Sequence, residues 1–146
     1  MSMTNAAEAA LLDLLFLNTD WANIGDAGGL QNSAAAGSFY ISLHTADPGE
    51  AGSQTTNEVA YTSYARVAVA RTAGGWTRST STISNTALVQ FPQATGGTAT
   101  ATHFGIGTDS TGAGNLLLKG ALNSSLSISN GIQPQFAAGA LTATVD

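Results

Sequence analysis

The chain has 146 residues, with nine acidic and four basic side chains, two histidines and no cysteine. That length is one ordinary domain, able to bury about two thirds of its unfolded surface. A net charge of −5 leaves little to bind phosphate, the lack of cysteine rules out a disulfide scaffold or cysteine–metal cluster, and 43% hydrophobic against 9% charged residues is the reverse of a disordered composition.

Residues 5–17 predict an amphipathic helix. Asn5 is the expected N-cap, with Glu8 three residues later as in a capping box. Leu11, Leu12, Leu15 and Phe16 recur at helical spacing and form one apolar face, suited to closing a β core or to docking a neighbouring subunit. The apolar run Ala9–Leu17 is interrupted by Asp13 and is too short to span a bilayer, so no membrane insertion is expected. No Lys or Arg precedes it, so a secretory leader is not expected either. Residues 18–37 have no period and read as a long loop, a class that is often functional or mobile.

From residue 38 the period becomes two. Phe39, Ile41 and Leu43 alternate with Tyr40, Ser42 and His44, as in a half-buried strand. Asp47-Pro48-Gly49 is a turn. Tyr61–Arg71 contains a second strand, and Gly74-Gly75 predicts a hairpin before a strand opening at Trp76. Ile83–Phe91 reads as one strand stopped by Pro92, and Thr98–Ile106 as the next after the Gly96-Gly97 turn. Leu116–Ala121 and Leu126–Ile128 read as two separate strands, and Leu141–Val145 as the last. About eight short strands without intervening helices predict a mainly β fold, an antiparallel, jelly-roll-like β-sandwich over residues 38–146 with one N-terminal α-helix, all in a single domain 1–146.

Catalytic and metal-binding patterns are sparse. His44, Asp47 and Glu50 stand at spacing three and are the one set able to offer three ligands to a divalent ion. Turn chemistry accounts for Asp47-Pro48-Gly49 without a metal and leaves His44 facing solvent or a neighbour, so neither metal nor cofactor is expected. No Gly-x-Ser-x-Gly elbow exists, and His103 lies in an apolar alternating strand where a packed, hydrogen-bonded ring is expected rather than a catalytic base. Gly105-Ile106-Gly107 breaks the dinucleotide-binding pattern at Ser110. The three arginines, Arg66, Arg71 and Arg78, are expected to pair with carboxylates rather than to form one basic patch. Leu11, Leu15, Phe16, Trp21, Tyr61, Tyr64 and Trp76 are the interface candidates.

The string Phe39–Gly52, with Thr45-Ala-Asp-Pro-Gly-Glu50 at its centre, is followed by Asn57–Tyr61, Tyr64–Val69, Val89–Pro92, Thr102–Ile106, Gly114–Leu117, Gly120–Leu122 and Phe136–Gly139. In this order the blocks resemble a family of small tailed-bacteriophage virion proteins, commonly labelled tail fibre or minor structural proteins. The resemblance implies a structural role, without catalytic residues, in a virion assembled in the bacterial cytoplasm. Lack of cysteine suits that reducing compartment.

Three functions follow as expectations. The first is a capsid decoration, or cement, protein bridging capsid subunits through the helix, the 18–37 loop and strand edges. The alternative is a tail-fibre or tail-tip component that contacts the host surface, with exposed aromatics such as Tyr61, Tyr64 or Trp76. A remote alternative is a carbohydrate-binding or glycan-hydrolysing β-sandwich. In the first two readings the partners are other virion proteins, the major capsid protein or tail proteins, and a homo-oligomer is expected, a trimer by the symmetry of shells and fibres.

Overall fold

The structure is a computed structural model that describes residues 2–145. It is mainly β, with one N-terminal helix and antiparallel strand pairs, as the sequence predicts. The chain forms two compact units, each assembled from separate stretches of sequence.

The first unit comprises Met1–Ser38, Ala70–Leu88 and Phe136–Asp146. Its helix, α1, spans Asn5–Phe16. Thr4, not Asn5, is the N-cap: its backbone is extended (φ −86°, ψ 153°) and its hydroxyl accepts the Ala7 N–H at 3.4 Å. A threonine one residue earlier serves nearly as well as asparagine, and it shifts Glu8 out of the capping-box position while leaving it in the first turn, where the helix dipole favours an anion. Glu8, Leu12 and Phe16 are buried at spacing four, and Asn18 at φ 52° turns the chain away after Leu17.

The loop after α1 is closed by specific bonds. Trp21 and Leu30 form an antiparallel bridge with both bonds at 2.9 Å. Asp26 Oδ1 accepts the Gly28 and Gly29 amides at 2.8 and 3.0 Å. Asn18 exchanges two 2.9 Å bonds with the Ser33 backbone. An aperiodic stretch is thus held by side chains whose short amide or carboxylate arms imitate backbone turns.

The sheet of this unit has the order β3 (Trp76–Ser79), β4 (Thr82–Asn85), β9 (Thr142–Thr144). Ser79 pairs with Thr82, so the β3–β4 hairpin turns at Thr80-Ser81. Thr80 takes φ 51°, a left-handed conformation that is costly for a β-branched residue. Gly74-Gly75 makes a turn, with Gly75 N–H to Thr72 O at 2.9 Å, but not the predicted hairpin, because the strands on either side of it enter different sheets. Trp76 and Phe16 pack edge to face, centroids 4.7 Å apart. Buried Asn85 donates to Ala87 O at 2.7 Å and Ala137 O at 2.8 Å and accepts from Leu141 N at 2.8 Å, fastening the terminal segment beside β4.

The second unit comprises Phe39–Val69 and Val89–Gln135. Its sheet has the order β2 (Val67–Ala70), β1 (Ser38–His44), β6 (Ala99–Gly107), β7 (Leu116–Ile128), and β5 (Val89–Gln90) pairs with β8 (Gln135–Phe136). The predicted strand Ile83–Phe91 is therefore two strands, β4 and β5. The two strands predicted within 116–128 are one. Ala101 faces Leu126 but His103 faces Ala121, so β7 bulges between these pairs and reverses the phase of its side chains. That phase break is why alternation along β7 reads as two strands.

β1 departs from the half-buried expectation, since Ile41, Ser42, Leu43 and His44 are all buried. One of its faces carries Phe39, Ile41 and Leu43. The residues after β1 turn back along it: Thr45 N–H donates to Asn57 O at 2.7 Å and Val59 N–H to Leu43 O at 3.0 Å.

Candidate functional site

The second unit holds the polar residues that the sequence singles out. His44 is fully buried rather than facing solvent. Its Nδ1 lies 2.8 Å from Thr56 O, and a carbonyl only accepts, so Nδ1 carries the proton. Nε2 then accepts from the Ser42 hydroxyl at 2.8 Å. Burial lowers the His44 pKa, against the opposing pulls of the Thr56 carbonyl and Glu58, and keeps the ring neutral. Gly105 on β6 makes the space: a Cβ there would stand 2.6–2.7 Å from Leu116 Cδ1, His44 Nε2 and Ser42 Oγ.

Asp47 and Glu50 lie apart from His44 and meet at Lys119 instead. Lys119 Nζ is 3.1 Å from Asp47 Oδ1 and 3.1 Å from Glu50 Oε1. Asp47 Oδ1 also accepts the Gly49 N–H at 2.8 Å, and this bond, then Lys119, holds the carboxyl below its usual range. Gly49 at φ 76° completes the turn. The ammonium sits where a cation would have to bind, and among the described residues no group of three or more His, Cys, Asp and Glu is placed to hold a metal.

A larger network begins at Glu58. Its carboxylate receives Arg66 Nε at 2.7 Å and Nη2 at 2.8 Å, and the Tyr64 hydroxyl at 2.9 Å. Arg66 also donates to Asp109 O and Gly112 O, both at 2.8 Å, so one guanidinium ties the β6–β7 loop to the segment after β1. Gln54 reinforces the tie: its Oε1 accepts Asp109 N–H at 2.9 Å, its Nε2 donates to Asp109 O at 3.3 Å, and its own N–H donates to Ala113 O at 2.8 Å. Tyr64 Oη accepts the Leu43 N–H at 3.1 Å, and burial pushes the phenol far above its ordinary range. Sequence spacing gives no sign of this cluster, because Arg66 and Asp109 are 43 residues apart.

Arg66 and Arg78 pair with carboxylates as expected, Arg78 Nε lying 2.5 Å from Asp13 Oδ1. Arg71 does something else. It donates to Leu14 O at 2.7 Å, to Leu15 O, and to Ala36 O at 3.2 Å, placing a cation at the end of a helix that has no basic residue in its own last turn.

Of the interface candidates, Phe16, Tyr61 and Trp76 are buried in the core. Their rings fill the interior; Tyr61 additionally donates to Pro92 O at 2.9 Å, while Trp76 Nε1 meets no acceptor among the described residues. Leu11, Leu15, Trp21 and Tyr64 are half-buried. His103 bonds Thr102 Oγ1 at 2.8 Å, the packed role expected of it. Among the described residues the exposed large apolar ones are Ile24, Leu30, Leu88, Leu117 and Ile132, none of them predicted. Leu117 carried one available signal, since it is out of phase with Leu116 and Leu118.

Fold and site together define a β-rich protein whose polar side chains are committed chiefly to binding its own backbone. The family model described as podophage GP4 fiber I protein gp80 matches residues 2–144, and the chain belongs to that family. A search of curated proteins found no match. The family is one of phage fibre proteins, which confirms the resemblance to virion structural proteins and places the chain among proteins associated with other virion components.

Proposed function

We propose that the chain is a non-enzymatic component of the phage fibre, in preference to a capsid decoration protein. The match of a fibre family over residues 2–144 carries this reading. The chemistry of the interior supports it. The Ser42–His44 pair has the contact of a nucleophile with its base but is shut off from solvent, and Asp47 and Glu50 are taken up by Lys119. The partners are then neighbouring tail proteins, and self-association, with a trimer as the simplest symmetry, suits a fibre. Assembly in the host cytoplasm accords with the cysteine-free sequence.

The test is copy number per purified virion by quantitative mass spectrometry against the major capsid protein. A few copies per particle support the fibre. A ratio comparable with the capsid protein establishes shell decoration instead, and absence from particles removes both readings.

A further inference from the structure

β7 ends the strand order β2-β1-β6-β7, so among the described residues one of its edges has no strand neighbour. Such an edge presents unpaired backbone donors and acceptors and is normally protected by a bulge or a charged side chain. β7 has both. The register shifts twice along β7, between the partners of Ala101 and His103 and again at Leu117, so the regular edge there is confined to Leu118–Ala121, and Lys119 stands within it. The charge of Lys119, however, is drawn onto Asp47 and Glu50.

Beside this half-strand lies a hollow of about 300 Å³ lined by Leu116, Leu117, Leu118 and Lys119, with Gly49, Glu50 and Gly52 as its other wall. The regular residues Leu118–Ala121 run about 13 Å at the usual strand rise. Opposite, Gly49 faces open space, since a Cβ there would meet nothing within 4 Å, while Gly52 allows the close approach of Pro48 O that shapes this wall. Leu117, 45% exposed, adds an apolar contact. At the rim two carboxylates share one ammonium, and the Glu50 side chain is 95% exposed.

We infer that this edge receives, as an added strand, an extended segment of a different virion protein that carries a basic residue for Glu50. The inference rests on the virion reading above and names its partner. A second copy of this chain fits less well, because all four of its basic side chains are committed: Arg66 to Glu58, Arg78 to Asp13, Lys119 to Asp47 and Glu50, and Arg71 to the carbonyls of α1. Main-chain pairing supplies affinity in such strand addition, and the flanking charge selects the partner.

The test uses intact phage carrying the full chain with p-benzoylphenylalanine in place of Leu117. Purified particles are irradiated and the cross-links mapped by mass spectrometry, with and without Glu50→Lys. The expected result is a cross-link to a basic, extended segment of another virion protein, reduced about tenfold or more by Glu50→Lys. An unchanged melting temperature shows that this exposed substitution leaves the fold intact. A cross-link to a second copy, no cross-link, or a cross-link indifferent to Glu50→Lys overturns the inference while the fibre reading stands. Absence of the wild-type chain from particles overturns both.

Discussion

Ser42 and His44 stand two residues apart on one face of a strand, joined Oγ to Nε2 at 2.8 Å with neither side chain reached by solvent. The Thr56 carbonyl fixes the proton on Nδ1, burial favours the neutral ring, and Glu58 and Arg66 are the charged neighbours acting on it, together with His103. Burial lowers the folded pKa below the unfolded 6.5, so the unfolded chain takes up the proton more readily. The stability gained from neutral His44 is complete above about pH 6.5 and is lost as pH falls through the folded value. Urea midpoints measured from about pH 8 to about pH 5 should decline, and His44→Gln should be less stable at the upper end with a flatter decline. A slope unchanged by His44→Gln refutes this account.

Arg66→Met should be among the most damaging single substitutions. Its side chain is 3% exposed and that of Glu58 15%, and removing one partner of a buried pair costs about 3–5 kcal/mol. Equilibrium denaturation measures the loss. Adding Glu58→Gln should recover part of it, because the remaining buried charge is then gone; a purely additive double variant counts against the network.

The phenols offer a spectroscopic check. Burial raises the pKa of both Tyr64 and Tyr61. In an alkaline absorbance titration, two of the three tyrosines should ionise only as the chain unfolds. Tyr64→Phe should remove one phenol from that late class. It also leaves the Leu43 N–H without its acceptor, at about 1–3 kcal/mol.

Gly105→Ala should destabilise by about 1–3 kcal/mol, since the new methyl would press on Leu116, His44 and Ser42. Gly74→Ala is the control: its Cβ would meet only Thr72 Oγ1, at 3.6 Å, so the effect should stay within about 0.5 kcal/mol. Equal midpoints for the two variants would show that the Gly105 site is looser than described.

What the sequence disclosed was local. Leu12 and Phe16 at helical spacing, alternation at Phe39, Ile41 and Leu43, and the Asp47-Pro48-Gly49 turn each report a short stretch of backbone, and each is found. What it hid depends on distant partners. His44 looked half-exposed because the residues bonded beside it, Thr56 and Asn57, belong to a polar segment without period. The network around Glu58 depends on the carbonyls of Asp109 and Gly112, and a carbonyl leaves no trace in residue identity. β7 was split because a bulge breaks the phase by which strands are recognised. The same limit applies to Phe16, Tyr61 and Trp76: large rings suit an interface or a core, and packing decides between them.

The first unit is made of three stretches and the second of two, so the chain passes between them four times. Modules that diversify by recombination are ordinarily continuous in the gene, with joints in exposed linkers. Here a single crossover anywhere between residues 39 and 135 divides at least one unit between two parents. Each unit is therefore exchanged intact only when both are exchanged together.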